Sequence, residues 1–446
     1  MNEKFVIHGK NPLRGTVEVR GSKNAASKMM VASLLTDEPC ILENIPFSGE
    51  VDVTRQLCET LGSKVEVEAD HRLKIQTKEI NTTFVSEFSR KNRVPILTIG
   101  PLLHRKGFAE VPVPGGDQIG PRPINFHVEA LGKMGVKIER RETSYFAKAE
   151  KEIHGAEINL PYPSVGATEN VILTAVLARG ETLLRNAAVE PEIYNLVEML
   201  RAMGSKIEFR AKLREIVIIG VPKLSGVKAR VMPDRNEVVS FACAGLATGG
   251  EVFIPNIEKS YHEEFLNKVR EIGGGVEIRG GGIRFGGKSK YKTAFIETRP
   301  HPGFMTDWQQ PFAVLLTRSR GTSIIHETVY EDRLGYTRDL KRMGASIEIS
   351  GECPKEPCHY EHQGYMHTAI ITGPTPLKGT EIEMTDIRAG MAHIIAALSA
   401  EGESVVSGIE HIDRGYERID DRLRALGADI QRVTAMKSPG FKLSSN

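Results

Sequence analysis

A phrase that recurs six times along the chain constrains its fold more than any other feature of the sequence. Each copy predicts an amphipathic helix that ends in glycine and is followed by a short alternating strand. The copies are LCETLGSKVEVE, VEALGKMGVKIER, VEMLRAMGSKIEFR, NKVREIGGGVEIR, RDLKRMGASIEIS and DRLRALGADIQRV. Their glycines are Gly62, Gly135, Gly204, Gly273, Gly344 and Gly427, at spacings of 73, 69, 69, 71 and 83 residues. Glycine suits the left-handed backbone that ends a helix, so the pattern predicts six repeated units.

A second phrase lies about half a unit earlier and predicts a different kind of helix. In copies such as NVILTAVLARGETLLRNA and AGMAHIIAALSAEGESVVSGI, a nearly all-apolar helix is followed by a breaker and a strand. A helix that is apolar on every side belongs in a core, whereas a helix with one charged face belongs on a surface. Each unit therefore consists of a buried helix, a strand, a surface helix and a strand.

Three such units per domain predict two similar α/β domains in which sheets surround buried helices. A chain of 446 residues is also longer than one hydrophobic core usually organises. We predict a first domain over residues 22–235 and a second formed by residues 1–21 with 236–446. A linear solenoid is the alternative. Against it, polar stretches such as GSKNAAS and TDIRAG precede the buried helices, whose N-termini would converge on one cleft as an anion site.

Charge and composition argue against several functional classes. The chain has 59 basic and 57 acidic residues, and this net charge of +2 gives no support for binding to nucleic acid or a membrane surface. The N-terminus MNEKFVIHGK lacks the apolar segment of a secretion signal, so we expect a cytoplasmic protein. Five scattered cysteines make a poor disulfide framework, and reduced thiols are expected.

One segment, CPKEPCHYEHQGYMH at residues 353–367, concentrates two cysteines and three histidines. Its spacing matches no standard zinc pattern. A solvated loop insertion is therefore the favoured interpretation, and no metal site is expected.

Seven ordered motifs resemble one family. GSKNAAS, GGDQIGPRPIN, SVGATEN, NAAVEPEI, HPGFMTDWQ, TDIRAG and HIDRGYERI are similar to segments of bacterial UDP-N-acetylglucosamine 1-carboxyvinyltransferases, which are enolpyruvyl transferases. The resemblance implies two inside-out α/β domains of three units each, with an active site in the cleft between them. It also implies transfer of the enolpyruvyl group of phosphoenolpyruvate to the 3′-hydroxyl of UDP-N-acetylglucosamine, with release of phosphate, as the first committed step of peptidoglycan synthesis. That scheme needs these two small molecules and no metal or organic cofactor.

The resemblance implies a phosphoenolpyruvate site residue by residue. Lys23 and Asn24 match the pair that contacts phosphoenolpyruvate, and Arg122 matches a loop arginine that faces its phosphate. Arg388 and Arg414 match arginines expected near the substrate carboxylate. Taken alone, Lys23 would be a solvated surface lysine, Asn24 a helix cap and each arginine a surface ion-pair partner.

The remaining positions implied by the family concern the acceptor. Asp307 matches the aspartate beside the attacking hydroxyl and is the expected general base, although it could instead cap a helix. The positions that match the UDP-sugar site are Arg93, Arg122, Pro123, Ile124, Asn125, Phe126, Ser164, Val165, Gly166, Asp307, Val329 and Tyr330. Glu190 and Asp386 match acidic residues of the cleft, with a turn acid and a helix cap as the alternative interpretations. Tyr162 and Pro163 stand where some members carry a lysine facing the uridine, which puts that contact in doubt.

The largest departure from the family is Asp117, in the segment GGDQIGPRP at residues 115–123, where most members have a cysteine. A carboxyl group can donate a proton to the methylene carbon if closure over two anionic substrates raises its pKa. It attacks an epoxide far less readily than a thiolate, so we expect an active enzyme that is insensitive to fosfomycin. The glycines and prolines predict a lid that is mobile at Gly115 and Gly116 and stiff at Arg122.

Two other functions stay open on the sequence. The sister enzyme 5-enolpyruvylshikimate-3-phosphate synthase shares the fold and phosphoenolpyruvate, but it lacks GGDQIGPRP and HIDRGYER in this form. A paralogue retired from catalysis that acts as a binding or regulatory subunit is the second alternative. The lost cysteine would be its mark, but the joint presence of Lys23, Arg122, Asp307 and Arg414 argues against it. The sequence gives no indication of the oligomeric state.

Overall fold

The computed structural model describes residues 3–85, 92–115, 120, 123–288, 290–355, 358 and 360–434. Within these residues the helices are α1 (Lys23–Ala32), α2 (Gly49–Leu61), α3 (Ile99–Lys106), α4 (Asn125–Lys133), α5 (Val165–Ala175), α6 (Pro191–Ala202), α7 (Arg235–Thr248), α8 (Glu263–Glu271), α9 (Gln309–Leu316), α10 (Thr337–Arg342), α11 (Ile387–Ser399), α12 (Glu410–Asp413) and α13 (Ile419–Ala425).

The strands of the same residues are β1 (Glu3–His8), β2 (Arg14–Thr16), β3 (Cys40–Glu43), β4 (Lys64–Glu68), β5 (Arg72–Gln76), β6 (Phe108–Pro112), β7 (Val136–Arg140), β8 (Ser144–Ala149), β9 (Glu157–Asn159), β10 (Glu181–Arg185), β11 (Lys206–Arg210), β12 (Glu215–Ile219), β13 (Val227–Arg230), β14 (Glu251–Pro255), β15 (Gly275–Arg279), β16 (Gly282–Gly286), β17 (Phe295–Glu297), β18 (Gly321–His326), β19 (Ser346–Ser350), β20 (Thr368–Gly373), β21 (Glu381–Glu383), β22 (Glu403–Ser407) and β23 (Asp429–Thr434).

The helices predicted to be apolar on every side are the buried ones: α1, α3, α5, α7, α9 and α11. Helix α7 buries 13 of its 14 residues and α11 buries 12 of its 13. These two helices pack against each other and against α9. In the described part of the chain, every helix is too short or too polar to cross a lipid bilayer.

The surface helices α2, α4, α6, α8, α10 and α13 are each followed by a glycine of the repeat. All six glycines have positive φ, from 85° at Gly273 to 115° at Gly62. A residue with a Cβ is strained in this conformation, so glycine lets the chain leave the helix and enter the next strand. The predicted helix ends are therefore confirmed.

The described strands form six sheets, and the five four-stranded sheets share one topology. The strand orders are β4–β5–β3–β13, β7–β8–β6, β11–β12–β10–β9, β15–β16–β14–β2, β19–β20–β18–β17 and β23–β1–β22–β21. In each four-stranded sheet, two antiparallel pairs are followed by a parallel edge strand. The sequence predicted two strands per unit and so missed the second hairpin strand and the short edge strand, which lie outside the recurring phrases.

The first strand of the chain completes the last repeat. Strand β1 lies between β22 and β23, where Val6 is opposite both Val405 and Gln431. In the other units the corresponding strand follows its neighbour directly along the chain.

Buried apolar side chains form two cores, one within residues 25–231 and the other from residues 5–17 with 238–430.

The chain passes between the two cores twice, and the two connections lie side by side. Residues 17–22 lead from β2 into α1, and residues 231–234 lead from β13 into α7. The amide of Ser22 donates to the carbonyl of Met232 at 2.7 Å. This pairing brings the first residues of α1 and α7 close together.

Candidate active site

The N-termini of buried helices converge on one carboxylate, that of Asp307. Asp307 lies in a 3₁₀ turn, Thr306–Trp308, that leads into α9. Its Oδ2 accepts from Nε of Arg388 in the first turn of α11 at 3.0 Å and from the side-chain Nδ2 of Asn236 in α7 at 3.5 Å. The charge of Lys23, the first residue of α1, also acts on it. The predicted convergence is therefore present at α1, α7, α9 and α11.

Two buried arginines hold Asp307 in its ionised form. Nη2 of Arg333 donates to Oδ1 at 2.7 Å, and the side chains of Arg333 and Arg388 are only 3% and 6% exposed. Burial by itself raises the pKa of Asp307, but the charges of Arg388 and Arg333 outweigh it and lower the pKa to about 2. Among the contacts of the described residues, Asp307 makes no capping hydrogen bond, so the N-cap interpretation is wrong.

Arg388 is fixed from several sides. Asp386 is the N-cap of α11, and its Oδ1 accepts from the backbone amides of Arg388 and Ala389 at 2.7 and 2.9 Å. Nη1 of Arg388 donates to the phenol oxygen of Tyr416 at 3.0 Å, and that phenol is hydrogen bonded to Ser240 at 2.8 Å. The helix-cap interpretation of Asp386 is confirmed. The cap and the phenol together hold the Arg388 guanidinium at the helix end.

Lys23 is buried and is not a solvated surface lysine. It is 9% exposed, and its Nζ donates to Oδ1 of Asn24 at 3.4 Å. Asn24 lies inside α1, whose N-cap is the residue before Lys23, so the cap interpretation of Asn24 is wrong. A Cβ on Gly415 would lie 3.6 Å from Cε of Lys23, which places the segment of Arg414 beside it. The Arg414 guanidinium lies 3.5 Å from the Glu50 carboxylate of the other core.

Among the described residues, two predicted UDP-sugar positions of the first core, Gly166 and Arg93, lie near His127. Helix α4 begins at Asn125 and α5 at Val165. A Cβ on Gly166 would lie 3.3 Å from the His127 ring, so α5 packs directly on this side chain. Burial lowers the pKa of His127 to about 3, and the charge of Arg93 contributes. A neutral His127 thus packs against the start of α5 and lies within electrostatic range of Arg93, a role that the sequence did not predict.

The described residues among these predicted positions differ in their exposure to solvent. Pro123, Asn125 and Val165 are exposed, Phe126, Ser164 and Gly166 are partly buried, and Ile124 is buried. Ile124 belongs to the hydrophobic core, and its carbonyl accepts from the backbone amides of His127 and Val128 at 3.0 and 3.1 Å. Ser164 is the N-cap of α5 and accepts from the amide of Ala167 at 3.4 Å.

On the second core, a buried carboxylate positions Val329 and Tyr330. Oε1 of Glu327 accepts from their two backbone amides at 2.7 and 3.1 Å. Oε2 accepts from the hydroxyl of Thr306 at 2.8 Å, in the same turn as Asp307. Burial raises the pKa of Glu327. This one side chain, which was not predicted from the sequence, fixes two of the predicted UDP-sugar positions relative to Asp307.

Tyr162 of the first core lies within electrostatic range of Tyr330, a predicted UDP-sugar position of the second core. Burial raises the pKa of the Tyr162 phenol, and Tyr330 of the second core contributes next. Gly120 lies at the same junction, since a Cβ there would collide with the carboxylate of Glu331. Asp117 and Arg122, on either side of Gly120, lie outside the described residues, so their roles stay predictions.

Glu190 lies at the junction between the cores and not on a solvated turn. It is 6% exposed, and its Oε1 accepts from the backbone amide of His301 in the other core at 3.3 Å. Burial raises its pKa. Two residues further along, the Glu192 carboxylate pairs with the buried guanidinium of Arg235 at 2.5 Å. These contacts connect the N-termini of α6 and α7.

The sequence also matches known proteins over nearly its whole length. The family described as EPSP synthase (3-phosphoshikimate 1-carboxyvinyltransferase) matches residues 7–423. The UDP-N-acetylglucosamine 1-carboxyvinyltransferase of Protochlamydia amoebophila (strain UWE25) is 45% identical over 441 residues, which cover 97% of this chain and 95% of that protein. The chain belongs to the UDP-N-acetylglucosamine 1-carboxyvinyltransferase family. Another relative, UDP-N-acetylglucosamine 1-carboxyvinyltransferase 1 of Carboxydothermus hydrogenoformans, is 40% identical over 432 residues, or 97% of this chain and 98% of its own.

Solved structures show the fold of this carboxyvinyltransferase family. The enolpyruvyl transferase NikO from Streptomyces tendae is 22% identical with a TM-score of 0.86, covering 98% of this chain and 100% of its own. EPSP synthase from Acinetobacter baumannii is 19% identical with a TM-score of 0.71, covering 97% and 100%. The predicted α/β fold of enolpyruvyl transferases and the predicted enzyme class are therefore confirmed.

Proposed function

We propose that the protein transfers the enolpyruvyl group of phosphoenolpyruvate to the 3′-hydroxyl of UDP-N-acetylglucosamine and releases phosphate, as the first committed step of peptidoglycan synthesis. Membership of the family supports this activity. The observation that carries it is the arrangement around Asp307, an ionised carboxylate beside Arg388 and Lys23 at converging helix ends. Glu327 ties Tyr330, a predicted UDP-sugar position, to the same turn.

We propose residues 22–235 and residues 1–21 with 236–446 as the two domains, each built on one of the two cores. The reaction then takes place in the cleft between them. The contact of Glu190 with His301 and the approach of Tyr162 to Tyr330 support this placement, because each joins the two cores.

The cations around Asp307 suit the anionic donor substrate. Phosphoenolpyruvate carries a carboxylate and a phosphate, and planar guanidinium groups bind such oxyanions with two hydrogen bonds. Arg388 and Lys23 lie beside Asp307, and Arg414 precedes Gly415, which lies next to Lys23. We assign Arg122 to the phosphate. The N-termini of α1, α7 and α11 add partial positive charge. Asn24, hydrogen bonded to Lys23, completes this set.

Asp307 is the proposed base for the 3′-hydroxyl. With a pKa of about 2, its carboxylate is a weak base before substrate binds. Phosphoenolpyruvate offers Arg388 a competing oxyanion, which weakens the hold of that guanidinium on Asp307 and raises the pKa of the carboxyl. Base strength is thereby coupled to the presence of both substrates.

The proposed chemistry is an addition followed by an elimination. The 3′-oxygen bonds to C2 of phosphoenolpyruvate while Asp307 takes the hydroxyl proton and Asp117 delivers a proton to the methylene carbon. The tetrahedral intermediate then loses a proton from its new methyl group to Asp117, and the bond from C2 to the phosphate oxygen breaks. Arg122 and Lys23 stabilise the charge on the departing phosphate.

Three further proposals follow from the same assignment. Asp117 makes the enzyme insensitive to fosfomycin, because a carboxylate attacks an epoxide far less readily than a thiolate does. The segment at residues 115–123 acts as a lid that closes over bound substrates. The enzyme works in the cytoplasm, and its product supplies the cell wall on which cell shape and division depend.

Phosphate release tests the proposed activity. We expect phosphate from phosphoenolpyruvate with UDP-N-acetylglucosamine and none with shikimate 3-phosphate. The reverse result would identify a 5-enolpyruvylshikimate-3-phosphate synthase, and no release with either acceptor would favour a retired binding subunit.

Asp307→Asn should lower kcat by about 10²–10⁴-fold, the usual contribution of a general base. Asp70→Asn, in the exposed turn between β4 and β5, is the matched control and should leave kcat unchanged.

A further inference from the structure

Four side chains with metal-binding atoms lie together at one end of the sheet β19–β20–β18–β17. They are His326, Cys353, Cys358 and His367, and their candidate ligand atoms all lie within 4.8 Å of one another. His326 is the last residue of β18 and His367 immediately precedes β20. The two cysteines come from the loop that joins β19 to β20. Cys353, Cys358 and His367 of the segment interpreted above as a solvated insertion therefore lie beside the last residue of β18.

Two of the distances within this cluster match those expected for tetrahedral zinc. Sγ of Cys353 and Sγ of Cys358 lie 3.4 and 3.5 Å from Nε2 of His367. Bond lengths of about 2.3 Å for Zn–S and about 2.05 Å for Zn–N place the two ligand atoms about 3.5 Å apart. One imidazole lone pair accepts one S–H hydrogen, so hydrogen bonding alone does not explain why both thiols approach the same nitrogen.

Both histidines have an oxygen partner on Nδ1, which leaves Nε2 for a metal. Nδ1 of His367 lies 2.7 Å from the carbonyl oxygen of Tyr365 and must donate to it. Nδ1 of His326 lies 3.0 Å from Oγ1 of Thr368, and its Nε2 is buried without a hydrogen-bond partner among the described residues. Metal-binding histidines commonly have such a partner, and a buried unpaired nitrogen is costly unless an ion occupies the site.

We propose that His326, Cys353, Cys358 and His367 bind a structural zinc ion. Two thiolates and two imidazoles form a soft, four-coordinate set that suits zinc, whereas magnesium and calcium prefer oxygen ligands. Four protein ligands leave no open position for a substrate. The sequence alone did not indicate the site because His326 lies 27 residues before Cys353 on a different strand.

The ion would hold Cys353, Cys358 and His367 against the sheet, and Tyr360 of the same loop connects this site to residues beside the proposed cleft. Tyr360 of this loop is 3% exposed and packs edge-on against His367, with 5.8 Å between ring centroids. Its hydroxyl lies within electrostatic range of Glu331 and Tyr330. The zinc site therefore supports the wall of the cleft on which, under the proposed function, the UDP-sugar binds.

Metal analysis of the purified full-length chain, prepared without chelator, tests the proposal. We expect about one zinc ion per chain. Cys353→Ser and Cys358→Ser should each reduce zinc content at least about tenfold. His362→Ala is the matched control, since its side chain is 91% exposed in the same loop, and it should retain the metal.

Cobalt substitution of the wild-type chain provides a readout that needs no variant to fold. Tetrahedral cobalt bound by two thiolates should show intense visible bands and sulfur-to-metal charge transfer. Wild-type protein without stoichiometric metal would overturn the proposal, as would a Cys353–Cys358 disulfide or equal zinc content in Cys353→Ser. None of these outcomes depends on phosphate release, so failure of the zinc site and failure of the proposed function remain distinguishable.

Discussion

Replacing Asp307 with asparagine should destabilise the second core in addition to slowing the reaction. Asparagine keeps the size of the side chain and removes its charge. Arg388 and Arg333, whose side chains are 6% and 3% exposed, would lose their shared counter-ion. A buried guanidinium without a carboxylate is costly, because water is not available to replace the partner.

The size of this effect follows from the pKa of Asp307. Its pKa falls from the ordinary 3.8 to about 2 despite burial, because Arg388 and Arg333 attract the charged form. At about 1.4 kcal/mol per unit, this difference corresponds to about 2.5 kcal/mol. Removing one member of a buried ion pair costs about 3–5 kcal/mol, since the remaining charge stays buried. We therefore expect Asp307→Asn to lower the free energy of unfolding by about 2–5 kcal/mol.

The same ion pairing predicts the pH dependence of that loss. Because the folded-state pKa of Asp307 is lowered, its contribution to stability is fully present above the ordinary pKa of 3.8 and is lost as the pH falls through about 2. The asparagine variant has no such group at this position. The difference in unfolding free energy between wild type and variant should be constant above about pH 5 and shrink towards pH 2.

Fluorescence of Trp308 during urea unfolding is the appropriate measurement. Trp308 is the only tryptophan of the chain, directly follows Asp307 and is 1% exposed in the second core. Its signal reports the unfolding of the core that carries the substitution. The measurement is therefore valid even if this chain of 446 residues unfolds in more than one step. Asp70→Asn is again the control. If the unfolding free energy of Asp307→Asn lies within about 0.5 kcal/mol of the wild-type value, the stability of the two buried arginines does not depend on Asp307.

Three other predictions concern the lid and the UDP-sugar positions. Asp117→Cys should make the enzyme susceptible to time-dependent inactivation by fosfomycin, whereas wild type keeps its activity; inactivation of wild type at low micromolar drug would contradict this. UDP-N-acetylglucosamine should protect residues 115–120 from limited proteolysis, and unchanged cleavage with ligand would count against a closing lid. Glu327→Gln should raise KM for the UDP-sugar about tenfold or more, because a charge-assisted hydrogen bond to the amides of Val329 and Tyr330 contributes about 1.5–3 kcal/mol. A change confined to KM for phosphoenolpyruvate would show that Glu327 does not position the UDP-sugar.

Local patterns in the sequence were sufficient for the architecture. Glycines such as Gly62 and Gly273 end helices through their own backbone conformation, with φ of 115° and 85°. The alternation of all-apolar and one-faced helices predicted which of them are buried, since periodicity depends on neighbours along the chain. Motifs at the starts of α1, α9 and α11 likewise predicted that Lys23, Asp307 and Arg388 belong to one site.

Only the tertiary structure decided which side chains meet. Asp307 pairs with Arg333, 26 residues away, and with Arg388, 81 residues away. Strand β1 enters the sheet of the last repeat, and His326 joins two cysteines of a distant loop. Sequence periodicity encodes the face that an element buries, but the contacts between elements depend on how they pack. The chain alone therefore determined the repeated fold, while packing determined the charge partners that lower the pKa of Asp307.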